Sequence, residues 1–410
     1  MKTRILWAAI TLTMAMTACS SENEVDEPLP NENDERHDIT LTRSEEQLVE
    51  QSNDFAFNLF RKAESGKSQI LSPISITYAL GLLNNGATGE TQQQINKVLG
   101  FGETGADGIN DFCHKMLNEA PNLDQQTKVM IANTIFMNKG YELKSDFVQK
   151  AKTYYDAEPE TRDFHDGKTL GVINQWASDH TEKMITKVLN EQTFQPNAVS
   201  YLLNAIYFKG AWAEEFDRSN TKDESFEGNG GEKVPMMHTK KDFRYSETED
   251  FQIVDLPYGN GAYCMTVLLP KQGKTIDDVL QGLTAETWQQ FRDMPNTLVD
   301  LKLPRFESGT DIELNDIMSE LGMPKAFTDM AEFPNFCNVS AKIGMMKQVA
   351  RIKVNEEGTE AAAVTVISLT LGAMPTEPQH VTFHANRPFL YVISEMSTGA
   401  IFFIGSYWGK

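Results

Sequence analysis

Strand-like and helical stretches alternate along residues 44–410 with no regular beat and no linker-like break. This irregular order narrows the architecture sharply. A doubly wound sheet needs strand and helix in steady alternation, and a solenoid needs a repeat of about 20–50 residues. Neither pattern is present, and mixed α+β in one large domain is what remains. Strands are predicted over Val129–Asn138, Ala198–Phe208, Ala262–Leu269, Leu298–Leu303 and Phe389–Ser394, and helices over Thr91–Leu99, Lys168–Met184 and Glu313–Leu321. A further helix is predicted from Ser44, whose spacing to Gln47 is that of a capping box, with Leu48, Phe55, Leu59 and Ala63 as its apolar stripe. At 410 residues the chain can bury a core without a disulfide or metal staple.

The N-terminus differs from the rest. Lys2 and Arg4 precede an apolar run, Ile5–Met16, and the run closes on Met16-Thr17-Ala18-Cys19. Residues 1–18 therefore read as a signal peptide, too short to span a membrane. A Cys directly after small residues at the cleavage point resembles the bacterial lipobox. It implies lipid on Cys19, an exported chain, and anchoring to the cell envelope at the outer membrane, with surface exposure left open. Residues 19–43 are polar, acidic and Pro-containing, the composition of a flexible tether. Cys113, Cys264 and Cys337 are then left as an odd set without metal spacing, and they read as buried small hydrophobes.

The composition excludes some partners. A formal charge of −21 is the wrong sign for a protein that lives on phosphate contacts, so no nucleic acid is expected. No GxSxG, HExxH or P-loop is present, and the seven His are scattered. Neither enzymatic activity, a cofactor nor a metal is expected. Gly100-Phe101-Gly102-Glu103-Thr104-Gly105 matches GxGxxG but follows a helical stretch, whereas a dinucleotide loop must leave a strand and open a helix. His180 lies near the apolar face of a predicted helix and reads as a core or surface residue, not a ligand.

The unusual stretch is Val354–Pro375. Read with period two, Thr359, Ala361, Ala363, Thr365, Ile367, Leu369 and Leu371 form one face, small at first, bulkier later and free of charge. Such a segment can enter a sheet as a strand. Gly358 before it and Gly372, Pro375 and Pro378 after it suit a loop instead.

Four motifs in order resemble the serpin family, from about Ser44 to Lys410. They are Leu71-Ser72-Pro73-Ile74-Ser75, Asn204–Trp212, Asn355–Ala363 and Phe383-His384-Ala385-Asn386-Arg387-Pro388-Phe389-Leu390. The resemblance implies three sheets, about eight or nine helices and an exposed reactive-centre loop at about 356–380. It implies a suicide inhibitor of serine proteases, in which the cut loop inserts into the large sheet and carries the protease with it.

Residue by residue, the resemblance makes Glu356, Glu357, Gly358, Thr359, Glu360, Ala361, Ala362 and Ala363 the hinge. It makes Ser72, Ser75, Asn204 and Gln348 a polar shutter, with Gln348 where the family often has His. Trp212, Arg305 and Glu356 become the breach, with an ion pair expected between the last two. On this reading the hinge is exposed before cleavage, so Thr359→Arg is expected to leave native stability within about 0.5 kcal/mol. The reactive bond falls at Gly372–Ala373, within a window of Leu369, Thr370, Leu371 and Met374. That window lacks Arg and Lys, which favours elastase-, chymotrypsin- or subtilisin-like targets, with papain-like cysteine proteases also open. A monomer is expected. The alternative is a non-inhibitory serpin acting as a binding or carrier protein, against which the small, uncharged hinge argues.

Overall fold

A computed structural model describes residues 36–228, 230–231, 233–359 and 380–409. The first part of the chain forms α1 (Arg43–Ala63), β1 (Gln69–Leu71), α2 (Pro73–Asn84), α3 (Gly89–Val98), α4 (Gly105–Glu119), β2 (Thr127–Asn138), α5 (Ser145–Tyr155), β3 (Glu158–Arg162) and α6 (Thr169–Asp179). The middle forms β4 (Ser200–Ala211), β5 (Lys222–Ser225), β6 (Lys233–Glu247), β7 (Phe251–Tyr258), β8 (Tyr263–Pro270), α7 (Ile276–Gly282), α8 (Ala285–Phe291), β9 (Asn296–Pro304), β10 (Phe306–Glu313) and α9 (Asn315–Leu321). The last part forms β11 (Lys347–Asn355), β12 (Gly358–Thr359), β13 (Val381–His384), β14 (Phe389–Glu395) and β15 (Ile401–Tyr407).

Nine α-helices among the described residues and all-mixed strand order give the α+β class. The strands form the three sheets expected, two of them joined through β6, so that two hydrogen-bonded paths result. One is six-stranded, in the order β10-β11-β12-β4-β2-β3. The other is nine-stranded, in the order β1-β15-β14-β8-β7-β6-β9-β13, with β5 beside β6. The merger has a simple cause. The 15-residue β6 pairs with β9 over Met236–Arg244 and with β7 over Tyr245–Glu247, so one long strand belongs to both portions.

The centre of the molecule is largely apolar. All seven residues of β14 and all seven of β15 are buried. Ten residues of α2 are buried, so this helix has no exposed face and packs against both β4 and β15.

Local chemistry moves two predicted boundaries. Helix α1 is capped by Thr42, not Ser44: Glu45 N–H donates to Thr42 Oγ1 and Thr42 N–H donates to the Glu45 carboxylate at 2.7 Å. Helix α6 stops at Asp179, short of Met184, because Glu182 and Lys183 take positive φ (48° and 66°), which a helix cannot include. His180 caps α6 and stacks on Trp176 at 4.4 Å. Gly100–Gly105 connects α3 to α4, two helices, as the helical stretch before it implied.

The body also begins earlier than Ser44. Ile39 is buried, Ile39 N–H donates to Ser397 Oγ at 2.9 Å, and Arg36 donates to Gly261 O at 3.1 Å. The last residues assigned to the tether therefore lie against the domain, because Ile39 offers an apolar anchor in an otherwise polar stretch. Cys113, Cys264 and Cys337 are buried and unpaired.

Candidate functional site where β12 joins the sheet

β12 is only two residues long, and it lies between β11 and β4. Gly358 and Thr359 pair with Asn355 and Val354 on one side, and with Ala211 and Gly210 on the other. Glycine is required at position 358. Its φ is +149°, and a Cβ there would lie 2.1 Å from Gly210 O. Thr359 is 1% exposed, and its hydroxyl lies 2.5 Å from Tyr258 Oη. Gly358 and Thr359 of the hinge are thus already strand, not exposed loop. The expectation that Thr359→Arg would be silent in the native state fails for that reason.

The turn leading into β12 is held from several directions. Asn355 Oδ1 accepts from the N–H groups of Glu357 (3.0 Å) and Gly358 (3.2 Å), which turns the chain back on itself. Trp212 Nε1 donates to Asn355 O at 2.9 Å, and Trp212 N–H donates to Glu357 O at 2.8 Å. The Trp212 indole stacks on Tyr258 with centroids 4.5 Å apart.

Arg305, the residue after β9, donates to Glu356 Oε1 at 2.5 Å, and Thr221 Oγ1 donates to the same oxygen at 2.7 Å. Burial works against the Glu356 charge, but these hydrogen bonds outweigh it and hold the carboxyl below its ordinary range. Glu357 pairs with Arg218. The expected Arg305–Glu356 pair is present. Thr221, Arg218 and Tyr258 complete the group and had no local sequence signal.

Ser72, Ser75, Asn204 and Gln348 fall in one hydrogen-bonded chain that crosses the sheet. Gln348 on β11 uses its amide twice: Oε1 accepts from Ser72 N–H at 3.1 Å, and Nε2 donates to Ser72 O at 2.9 Å. Ser72 Oγ donates to Phe402 O at 2.8 Å while capping α2. Ser75 Oγ donates to Asn204 Oδ1 on β4, and Asn204 Nδ2 donates to Asn133 Oδ1 on β2 at 2.8 Å. Asn133 was missed because an Asn inside an apolar strand pattern carries no sign of its partner. Gln can both donate and accept, so it fits where an imidazole was the family expectation.

Below Thr359, β4 and β11 do not pair with each other among the described residues. A cavity of about 810 Å³ lies there, lined by Ser75, Ile76, Leu203, Asn204, Gln348 and Ala350 among others. Glu360, Ala361, Ala362 and Ala363, the window Leu369–Met374 with Gly372 and Ala373, and Cys19 lie outside the described residues.

Comparison with known proteins agrees with this arrangement. The family model described as Serpin (serine protease inhibitor) matches residues 50–409. The chain is 32% identical to Serpin B3 of Homo sapiens, over 88% of this chain and 98% of that protein. The native-state structure of the thermophilic serpin Tengpin superposes with a TM-score of 0.82 at 28% identity, covering 91% of this chain and 96% of the other. A thyroxine-binding globulin complex with thyroxine gives 0.78 at 26% identity, covering 88% and 99%. The chain belongs to the serpin family, whose members are protease inhibitors in general and not enzymes.

Proposed function

We propose that this serpin is a suicide inhibitor of serine proteases that cut after small or apolar residues, with the Gly372–Ala373 bond as bait. One observation carries the reading. Gly358 and Thr359 already stand as the first two residues of an added strand, and the space between β4 and β11 continues beneath them. Lengthening β12 would give each new residue two strands to pair with, so insertion is strongly downhill once the chain is cut. Ala361 and Ala363, the next residues on the inward face, are small and uncharged.

The site residues take roles on this reading. Gly358 and Thr359 lead insertion. The Trp212, Arg305 and Glu356 group holds the turn that feeds it. The Ser72, Ser75, Asn204 and Gln348 chain fastens β4 and β11 to α2 and sets how readily they part. A monomer held to the envelope through lipidated Cys19 places the inhibitor where extracytoplasmic proteases act.

The test is incubation with elastase-, chymotrypsin-, subtilisin-, papain- and trypsin-like proteases. A denaturant-stable 1:1 adduct with one of the first four, and a cut within Leu369–Met374, is expected. Clean cleavage of every sample without adduct would favour the carrier reading.

A further inference from the structure

Three of the seven histidines, scattered in the sequence, meet at one carboxylate. Asp300 lies on β9, His238 on the adjacent β6, His384 on β13, and His380 just before β13. His238 Nε2 is 2.8 Å and His384 Nε2 3.4 Å from Asp300 Oδ1, and His380 Nε2 is 3.9 Å from Oδ2. All four side chains are partly exposed, between 24% and 39%, so protons exchange freely with solvent.

The neighbouring strands bring further charge to the cluster. Lys302 stands opposite both His238 and His384 in register, and its Nζ pairs with Glu224 of β5 at 2.7 Å. Lys240 of β6 stands opposite Asp300.

We propose that this cluster is a proton-operated clamp on β13, tight when one imidazolium sits beside Asp300 and looser when all three rings are neutral. β13 is a four-residue strand, and among the described residues its only strand partner is β9. Phe383 is fully buried and Gln252 Nε2 donates to Thr382 O at 3.0 Å, so the core holds one face of the strand and the three side-chain contacts add to its attachment on the partly exposed face.

The sign follows from the charges. A charge-assisted hydrogen bond is roughly twice as strong as a neutral one. Imidazoles as a class change charge between about pH 5 and 8. Burial opposes the Asp300 charge, but hydrogen bonds from His238 and His384 outweigh it and keep the carboxyl below its ordinary range. Asp300 therefore carries its charge whenever an imidazolium stands beside it. A second or third imidazolium beside Lys240 and Lys302 would repel, so the clamp is tightest at mildly acidic pH and weakens as pH rises through the imidazole range.

The consequence rests on the insertion reading above. Twenty residues, 360–379, join Thr359 to His380. Thr359 pairs with Gly210, so filling the space down to Ser200 takes about ten residues at about 3.3 Å each. An uncut chain must then return the same distance and still reach β9, which uses up the remaining ten. Full insertion without a cut therefore requires β13 to leave β9, whereas a cut chain has no such requirement. The clamp guards the uncut inhibitor against spontaneous insertion and leaves trapping after cleavage untouched.

The experiment follows hydrogen exchange of the Thr382–His384 amides in the full, uncut chain from pH 5.5 to 8.5, corrected for intrinsic exchange rates. Protection is expected to fall several-fold between pH 6 and 8, and the slope to vanish in Asp300→Asn. His384→Gln, which keeps a hydrogen-bonding group but does not titrate, should flatten it in part and serves if Asp300→Asn does not fold. Flat protection in the parent, or an unchanged slope in both variants, would overturn the clamp whether or not the protein inhibits any protease. In parallel, conversion of uncut chain to a heat-resistant form should run about three- to tenfold faster at pH 8 than at pH 6. If protection follows pH as expected but no conversion occurs at any pH, the clamp stands and the insertion reading falls.

Discussion

The hydroxyls of Thr359 and Tyr258 lie 2.5 Å apart in a fully buried setting, beneath the indole of Trp212. This contact joins the first residues of the hinge to β7 of the other sheet. Thr359→Val keeps the shape but strands the Tyr258 hydroxyl, a loss of about 1–3 kcal/mol. Thr359→Arg must either bury an unpaired cation or push β12 out, and the native state should weaken by several kcal/mol. Urea unfolding of the two variants beside the parent measures both. A Thr359→Arg midpoint equal to the parent's would mean that β12 is not part of the native sheet.

Glu356 is 3% exposed and held below the ordinary carboxylate range, chiefly against burial, by Arg305 and Thr221. A carboxyl depressed in the folded state adds stability above its unfolded value and loses it as pH falls through the folded one. The contribution should therefore be intact at pH 5–8 and fade below about pH 4. Arg305→Ala should lower stability at pH 7 by about 1–3 kcal/mol, and the difference between variant and parent should shrink toward pH 3. Thermal melts across that range provide the check.

Asp255 behaves oppositely. Burial pushes its carboxyl up to about 6 from the ordinary 3.8, although Thr266 donates to it at 2.6 Å and Arg244 stands 3.6 Å away. The folded state then holds the proton more tightly than the unfolded one, so stability falls as pH rises from about 4 to 6 and stays lower above. Asp255→Asn should remove that slope and raise stability at pH 7 by about 1–3 kcal/mol. Denaturant midpoints at pH 4, 5, 6 and 7 would show it. A variant less stable than the parent at pH 7 would mean that the Arg244 contact outweighs burial.

Cys19→Ala tests the anchor. Removing the thiol should shift the protein from the membrane fraction to the soluble one, or block its processing. The parent's N-terminal peptide should carry lipid mass, and its absence would refute the assignment.

Much of this was legible because periodicity and short motifs are local. The cores of β2, β4, β8, β9 and β14 follow from apolar runs, and Arg305 with Glu356 from position in a family pattern. What was not legible depends on the sheet closing. Nothing near Tyr258 announces that its hydroxyl meets a residue about a hundred positions later. Likewise His238, His380 and His384 read as scattered, because only the register of β6, β9 and β13 brings them to Asp300. The early strand at Gly358–Thr359 was read as exposed because alternation shows which side chains face inward, not when they do so.

The segment after residue 379 holds three strands, two of which, β14 and β15, lie in the interior of the nine-stranded sheet, flanked by β1 and β8. A single scission near Ala373 would therefore leave one particle made of two polypeptides, the smaller woven through the larger and unable to leave without exposing fourteen buried residues. Size and shape in solution would hardly register the event. The broken bond would be visible only to a method that first takes the molecule apart.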